Sequence, residues 1–189
     1  MTEKQKLQQV NDSLKKKFIN KKLIFGKGFV GAKIVFVGEA PGQEEEKDGK
    51  PISGYSEKIL NQLLRATGID KNKVYITNVL KYYPKDKTPT AKEIKSYVPF
   101  LKEEIKAIEP RVVVTLGNMA LNGIGLRQPL DNIHGRSFNF GSYDLLPTFH
   151  PKTTVNNEQT KTLIQNDFIK LRELIKKPLE LESEKEITV

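Results

Sequence analysis

Ile34-Val35-Phe36-Val37-Gly38-Glu39-Ala40-Pro41-Gly42 decides how this chain is read. Four apolar residues in a row, bounded by turn residues, suit an inner strand of a parallel sheet, because such a strand is buried on both faces. Gly38 lets the chain leave the sheet edge, Pro41 stiffens the loop, and Gly42 admits a backbone conformation closed to other residues. Glu39 then stands alone at the strand's carboxyl end, where open α/β sheets hold their ligands. Taken by itself, the stretch is better read as an ordinary strand-to-helix turn with a solvated glutamate.

Before this strand, residues 1–33 are rich in lysine, with Glu3 and Asp12 as the only acids. Leu7, Val10, Leu14 and Phe18 recur at helical spacing, which predicts an amphipathic helix with a basic outer face. That face either meets DNA or is a solvated cap. After the strand, 43–48 reads as a polar loop and 55–67 as a helix stopped by Gly68. Residues 74–80 read as a second strand, and 81–89 as a loop of Lys, Tyr and Pro. Thr90 caps a helix to about Ile108, with Glu93 completing a capping box. A third strand covers 111–116, and a short helix starts at Asn118. A fourth strand covers 143–149 with His150-Pro151 at its end, and a last helix runs from 159 to 176. Strands alternating with helices predict a three-layer α/β/α domain with a central, mostly parallel four-stranded sheet. One domain is expected over 1–177, followed by a charged tail, 178–189.

The 189 residues suffice for a single domain with a real core. The net charge of +9 and a pI near 9.5 suit a polyanionic partner, or reflect no more than a lysine-rich, solubility-favouring composition. The chain has no cysteine, which excludes disulfides, thiolate zinc sites and cysteine-held iron–sulfur clusters. No run has membrane-spanning length and no leader pattern opens the sequence, so a cytoplasmic, membrane-free setting is expected.

Three polar residues fall at or near strand ends: Glu39, Asn78 and His150. Parallel strands would bring them to one rim. Singly, each has a plain reading, as a solvated acid, a loop cap and a packed or surface histidine. In order and spacing, Gly38-Glu39-Ala40-Pro41-Gly42, Gly49-Lys50-Pro51, Asn78-Val79-Leu80-Lys81 and His150-Pro151 resemble the uracil-DNA glycosylase superfamily. The similarity is to its family-four branch, which usually carries an iron–sulfur cluster, and it spans about residues 23–171.

The resemblance implies hydrolysis of the N-glycosidic bond between uracil and deoxyribose in DNA, without metal or cofactor, by a monomer. The base must leave the stack and enter a snug pocket. Asn78 matches the residue whose amide reads uracil N3–H and O4, a pattern that cytosine inverts. His150 matches the donor to uracil O2, where negative charge grows as the bond breaks. Glu39 matches the carboxylate that orients water or stabilises the cationic sugar. Backbone N–H groups near Ala40 and Gly42 are expected to help hold the base. Lys81 either meets a phosphate, supports the site or is a solvated loop lysine. Lys152 and Thr153 begin a loop expected to contact the DNA, in which the family's bulky wedge is not evident.

Two departures stand out. Tyr82 and Tyr97 occupy positions where that branch commonly has cluster cysteines, and the two rings are expected to pack together instead. Ile52 stands where the family usually stacks a phenylalanine on uracil, which removes an aromatic contribution of roughly 1–3 kcal/mol; Tyr55 is a candidate substitute. A non-catalytic relative that binds DNA or uracil is therefore the first rival reading. An unrelated nucleotide-binding α/β protein is disfavoured, because no phosphate-loop pattern follows the first strand.

Overall fold

The chain runs through α1 (Glu3–Lys17), β1 (Lys27–Gly28), β2 (Ile34–Gly38), α2 (Gln43–Asp48), α3 (Gly54–Thr67), β3 (Val74–Asn78), α4 (Ala91–Ile108), β4 (Val112–Leu116), α5 (Asn118–Ile124), α6 (Leu130–Ile133), β5 (Phe138–Asn139), β6 (Asp144–Thr148) and α7 (Glu158–Lys176). These come from a computed structural model that describes residues 1–85 and 87–177. The expected tail, 178–189, lies outside the described residues.

The six strands lie in the order β1-β3-β2-β4-β6-β5. β2 pairs in parallel with β3 and β4, and β4 with β6, which is the four-stranded parallel core expected. Two antiparallel strands of two residues each extend it, β1 on β3 and β5 on β6. They are too short to carry an alternation pattern. β5 reaches only Asp144 and Leu145, so Pro147 sits where β6 has no partner strand on that side and its missing N–H breaks no ladder bond.

Alternate residues of the inner strands serve two cores. Val35, Val37, Tyr75 and Val113 pack with Leu101 and Ile105 of α4 and Ala120 and Leu121 of α5. Ile34, Phe36, Val112 and Val114 pack with Leu60, Leu63 and Leu64 of α3 and with Ile164, Phe168 and Leu171 of α7. The helices thus cover both faces, as near-continuous apolar strands require.

The predicted N-terminal helix is α1, opened by a capping box on Thr2 and Gln5 and laid against α4. The capping box on Thr90 and Glu93 likewise opens α4. Residues 43–48 are helical rather than a loop. α2 buries none of its six residues, so no apolar stripe announced it. The second strand stops at Asn78 instead of Leu80, although the Val79 and Leu80 N–H groups still donate to the Gly38 and Glu39 carbonyls, each at 3.0 Å.

Candidate active site

The chain crosses from one side of β2 to the other between β3 and β4, and a cavity of about 310 Å³ opens at the carboxyl ends of the strands there. Ala40, Gly42, Ile52, Asn78, His150 and Lys152 line it. Of the three residues expected at one rim, Asn78 and His150 line this cavity and Glu39 does not; the lining comes from the β2 loop, the end of β3 and the segment after β6.

Asn78 is buried at the last position of β3. Its Nδ2 donates to the Pro51 carbonyl oxygen at 2.7 Å. Its Oδ1 lies against Gly38, where a Cβ would come within 2.3 Å. Turning the amide over would set Oδ1 against the Pro51 oxygen, two acceptors in contact, at about 1–3 kcal/mol for the unpaired buried group. Asn78 thus offers a fixed acceptor and one remaining N–H donor. The β2 glycine and the Pro51 carbonyl set this orientation, a link the sequence did not reveal.

His150 opens a 3-10 turn over Pro151–Thr154, and its Nδ1 accepts from the Lys152 N–H at 3.2 Å. Burial, helped by the Lys152 charge, pushes the imidazole down to about 3, so the ring is neutral. With Nδ1 accepting, the proton sits on Nε2, leaving one donor for the cavity that the ring lines. The end of β6 is held from behind. Thr148 Oγ1 donates to Asp167 at 2.6 Å, His134 Nδ1 meets the same carboxylate at 2.9 Å, and the His134 ring packs 4.9 Å from Phe149.

Glu39 stands beside the cavity rather than on its wall. Its Oε1 accepts from the Met119 N–H in the first turn of α5 at 3.2 Å, and its Oε2 is 3.5 Å from Lys152 Nζ. Gly117, with φ +95°, makes the room: a Cβ there would come within 2.4 Å of Glu39 Oε1.

Two expectations are corrected. Lys81 reaches no phosphate, because it is fully buried and paired with Glu104 at 2.6 Å. The Gly42 N–H is not free for a base, since it donates to Glu45 Oε2 at 2.9 Å. Glu45 Oε1 also accepts from the Ser53 N–H at 3.0 Å, so this acid ties the β2 loop to the segment carrying Ile52. Ile52 is buried and gives the cavity an aliphatic wall. Tyr55 is half-exposed on the rim, and its hydroxyl lies 2.9 Å from Thr154 Oγ1. Thr154 gives its only hydroxyl proton to the Pro151 carbonyl, so Tyr55 is the donor. Lys152, on the cavity lining, and Thr153, beside it, are both exposed, and Thr153 Oγ1 donates to the His150 carbonyl at 2.7 Å.

Sequence reading missed Glu45, Glu104 and Asp167. The last two carried a signal: each is an acid on the apolar stripe of an amphipathic helix, beside Leu101 and Ile105 in α4 and beside Ile164 and Phe168 in α7.

The residues present do not fit an iron–sulfur cluster, since the chain has no thiolate to hold one. Tyr82 and Tyr97, expected to pack together in its place, have ring centroids 5.8 Å apart. Phe18 stacks on Tyr97 at 3.9 Å, and Lys21 lies over Tyr82 at 4.1 Å.

The family model described as the uracil DNA glycosylase superfamily matches residues 25–172. A type-4 uracil-DNA glycosylase of Thermotoga maritima is 36% identical over 161 residues, covering 82% of this chain and 84% of that protein. One from Sulfurisphaera tokodaii is 33% identical over 160 residues, covering 79% and 73%. One from Saccharolobus solfataricus is 31% identical over 181 residues, covering 86% and 81%. Among the described residues, no helix is long and apolar enough to cross a membrane.

Proposed function

The chain belongs to the uracil-DNA glycosylase superfamily, and from that premise we propose that its cavity receives a uracil turned out of DNA, with Asn78, His150 and Glu39 dividing the work of breaking its N-glycosidic bond. The observation that carries this reading is the fixed amide of Asn78 facing the same cavity as the neutral ring of His150. Asn78 Oδ1 accepts uracil N3–H and its free N–H donates to O4. Cytosine presents a lone pair and an amino group at those places, and the Pro51 carbonyl opposes the flip that would suit it. A site built on such bonds discriminates by about 10⁴ or more.

Breaking the bond leaves a cationic sugar and a uracil anion. His150 Nε2–H donates to O2, where the anion's charge collects, and a neutral donor avoids protonating the base. Glu39 faces the cationic side and orients the attacking water. Water delivers its hydroxyl to the sugar carbon, the departing uracil takes the remaining proton, and an abasic site is left. Ile52 gives apolar contact to the base. Lys152 and Thr153 meet the DNA backbone, and Val155, half-exposed beside the cavity, is the apolar tip of that loop. All these groups come from one chain, so a monomer suffices, working in the cytoplasm where the DNA is reached.

The test is excision from uracil-containing single- and double-stranded oligonucleotides, read by alkaline cleavage at abasic sites. Asn78→Ala and His150→Ala should each slow excision by about 10²–10³ while leaving DNA affinity near that of the parent. Parent-like cutting by both variants would refute the assignment. Ile52, in place of an aromatic platform, favours one other reading, a non-catalytic binder of DNA or uracil. No scission by the unaltered protein at stoichiometric amounts would select it.

A further inference from the structure

Lys81 and Glu104 form an ion pair with side chains 0% and 1% exposed. All three ammonium protons are placed: one on Glu104 Oε2 at 2.6 Å, one on the Asn78 carbonyl oxygen at 2.8 Å, and one on Thr77 Oγ1. The other Glu104 oxygen accepts from the Tyr75 hydroxyl at 2.9 Å and from Thr77 at 3.0 Å. The network leaves no polar atom of the pair unmatched.

Stability alone gives little reason for such a pair. Removing two charges from water offsets most of their mutual attraction, and packed apolar side chains of similar volume commonly serve a fold as well or better. What apolar residues cannot do is hold a particular carbonyl. The carbonyl held here belongs to Asn78, the residue that faces the cavity.

We propose that Lys81, braced by Glu104, is a positioning residue that fixes the Asn78 amide in the base pocket, an inference resting on the uracil reading of that pocket. Asn78 is gripped at both ends, through its carbonyl by Lys81 and through Nδ2 by the Pro51 oxygen. The same segment carries the Val79 and Leu80 N–H groups that bond to the Gly38 and Glu39 carbonyls. Releasing the Lys81 grip therefore loosens Asn78 directly and the Glu39 backbone at one remove. The ion pair lies on the α4 side of β3 and the cavity on the other, so Lys81 acts without touching the base.

The experiment replaces the pair together, Lys81→Met with Glu104→Met, so that no unpaired charge is left inside. Three quantities are measured: the single-turnover excision rate on a uracil oligonucleotide, affinity for the same oligonucleotide without uracil, and hydrogen exchange of the Asn78 side-chain amide by NMR. The double variant should keep DNA affinity within about twofold but excise about tenfold or more slowly, as a misplaced catalytic group does. The Asn78 side-chain amide should exchange faster. A double variant that cuts at the parental rate, or an unchanged Asn78 exchange rate, would overturn the proposal. Should the double variant not fold, Lys81→Met with Glu104→Gln also removes both charges while keeping a hydrogen-bonding side chain for Tyr75 and Thr77, and the same readings apply to it with the same signs. If the unaltered protein excises no uracil, the reading of the pocket fails, while the Asn78 exchange comparison still decides whether Lys81 positions that side chain.

Discussion

His150 is a donor because of where its other nitrogen goes. Nδ1 is taken by the Lys152 N–H, and burial keeps the ring neutral, so the only proton it can offer is on Nε2. The folded-state value near 3 against an ordinary 6.5 has two consequences. Between those values an unfolded chain binds a proton that the folded one refuses, so this side chain lowers stability as pH falls through that window and has no effect above it. The excision rate at saturating enzyme, for its part, should show no one-proton step from His150 near pH 6.5. Following the His150 ring protons by NMR against pH checks this: they should not titrate down to about pH 4. A midpoint near 6.5 would mean a charged ring in the working range and a different role. A second prediction concerns the close approach of Gly38 to Asn78 Oδ1. Gly38→Ala should displace the amide and cut excision by at least about tenfold, with DNA affinity unchanged in a binding titration.

At the scale of elements, the site depends on what holds α1 and the β3–α4 loop to the sheet. Leu14 of α1, Leu80 and Tyr82 of the loop and Tyr97 of α4 form one cluster, extended by Phe18 and Phe100. Burial raises the Tyr97 phenol well above its ordinary range and pushes Tyr82 up to about 12, so both rings are neutral packing groups. Among the described residues, the buried Tyr97 hydroxyl has no hydrogen-bond partner. Tyr97→Phe should therefore raise stability by about 1 kcal/mol, and Tyr97→Ala should lower it by about 3–5 kcal/mol. Thermal unfolding measures both, and a destabilised Tyr97→Phe would show that the hydroxyl does find a partner. This packing was legible from the two tyrosines at positions where the family resemblance implies cluster cysteines. The parallel strands were legible from their unbroken apolar runs, and α4 from its cap and stripe. α2 was not, because an exposed six-residue helix buries nothing and leaves no period. The environment of Lys81 was hidden for another reason. A lysine after a strand reads as exposed unless its counter-ion is known, and Glu104 lies 23 residues further on.

At the scale of the molecule, the net charge of +9 acts on encounter rather than on chemistry. Nothing in the cavity is itself strongly basic apart from Lys152 at its mouth, whose side chain is 60% exposed and rests 3.5 Å from Glu39. On the proposed reading a DNA phosphate would compete with Glu39 for this lysine, so that binding and catalysis would meet at that one contact. If the basic surface grips the backbone, each neutralised phosphate releases counter-ions and the affinity falls linearly on logarithmic axes. Contact with about four phosphates gives a slope near −3.6, roughly a hundredfold loss of affinity between 50 and 200 mM salt. The single-turnover rate at saturating protein should stay nearly constant over the same range, because the bonds around uracil form in a cavity screened from bulk ions. Lys152→Ala should then reduce the salt slope by about one and leave base preference unchanged, since phosphate contacts carry no base identity. Affinity titrations at four or five salt concentrations, with single-turnover rates alongside, decide the matter. A flat affinity curve would make the positive charge a matter of solubility. A rate that falls in step with affinity would mean that salt reaches the reacting atoms and that the cavity does not close around the base.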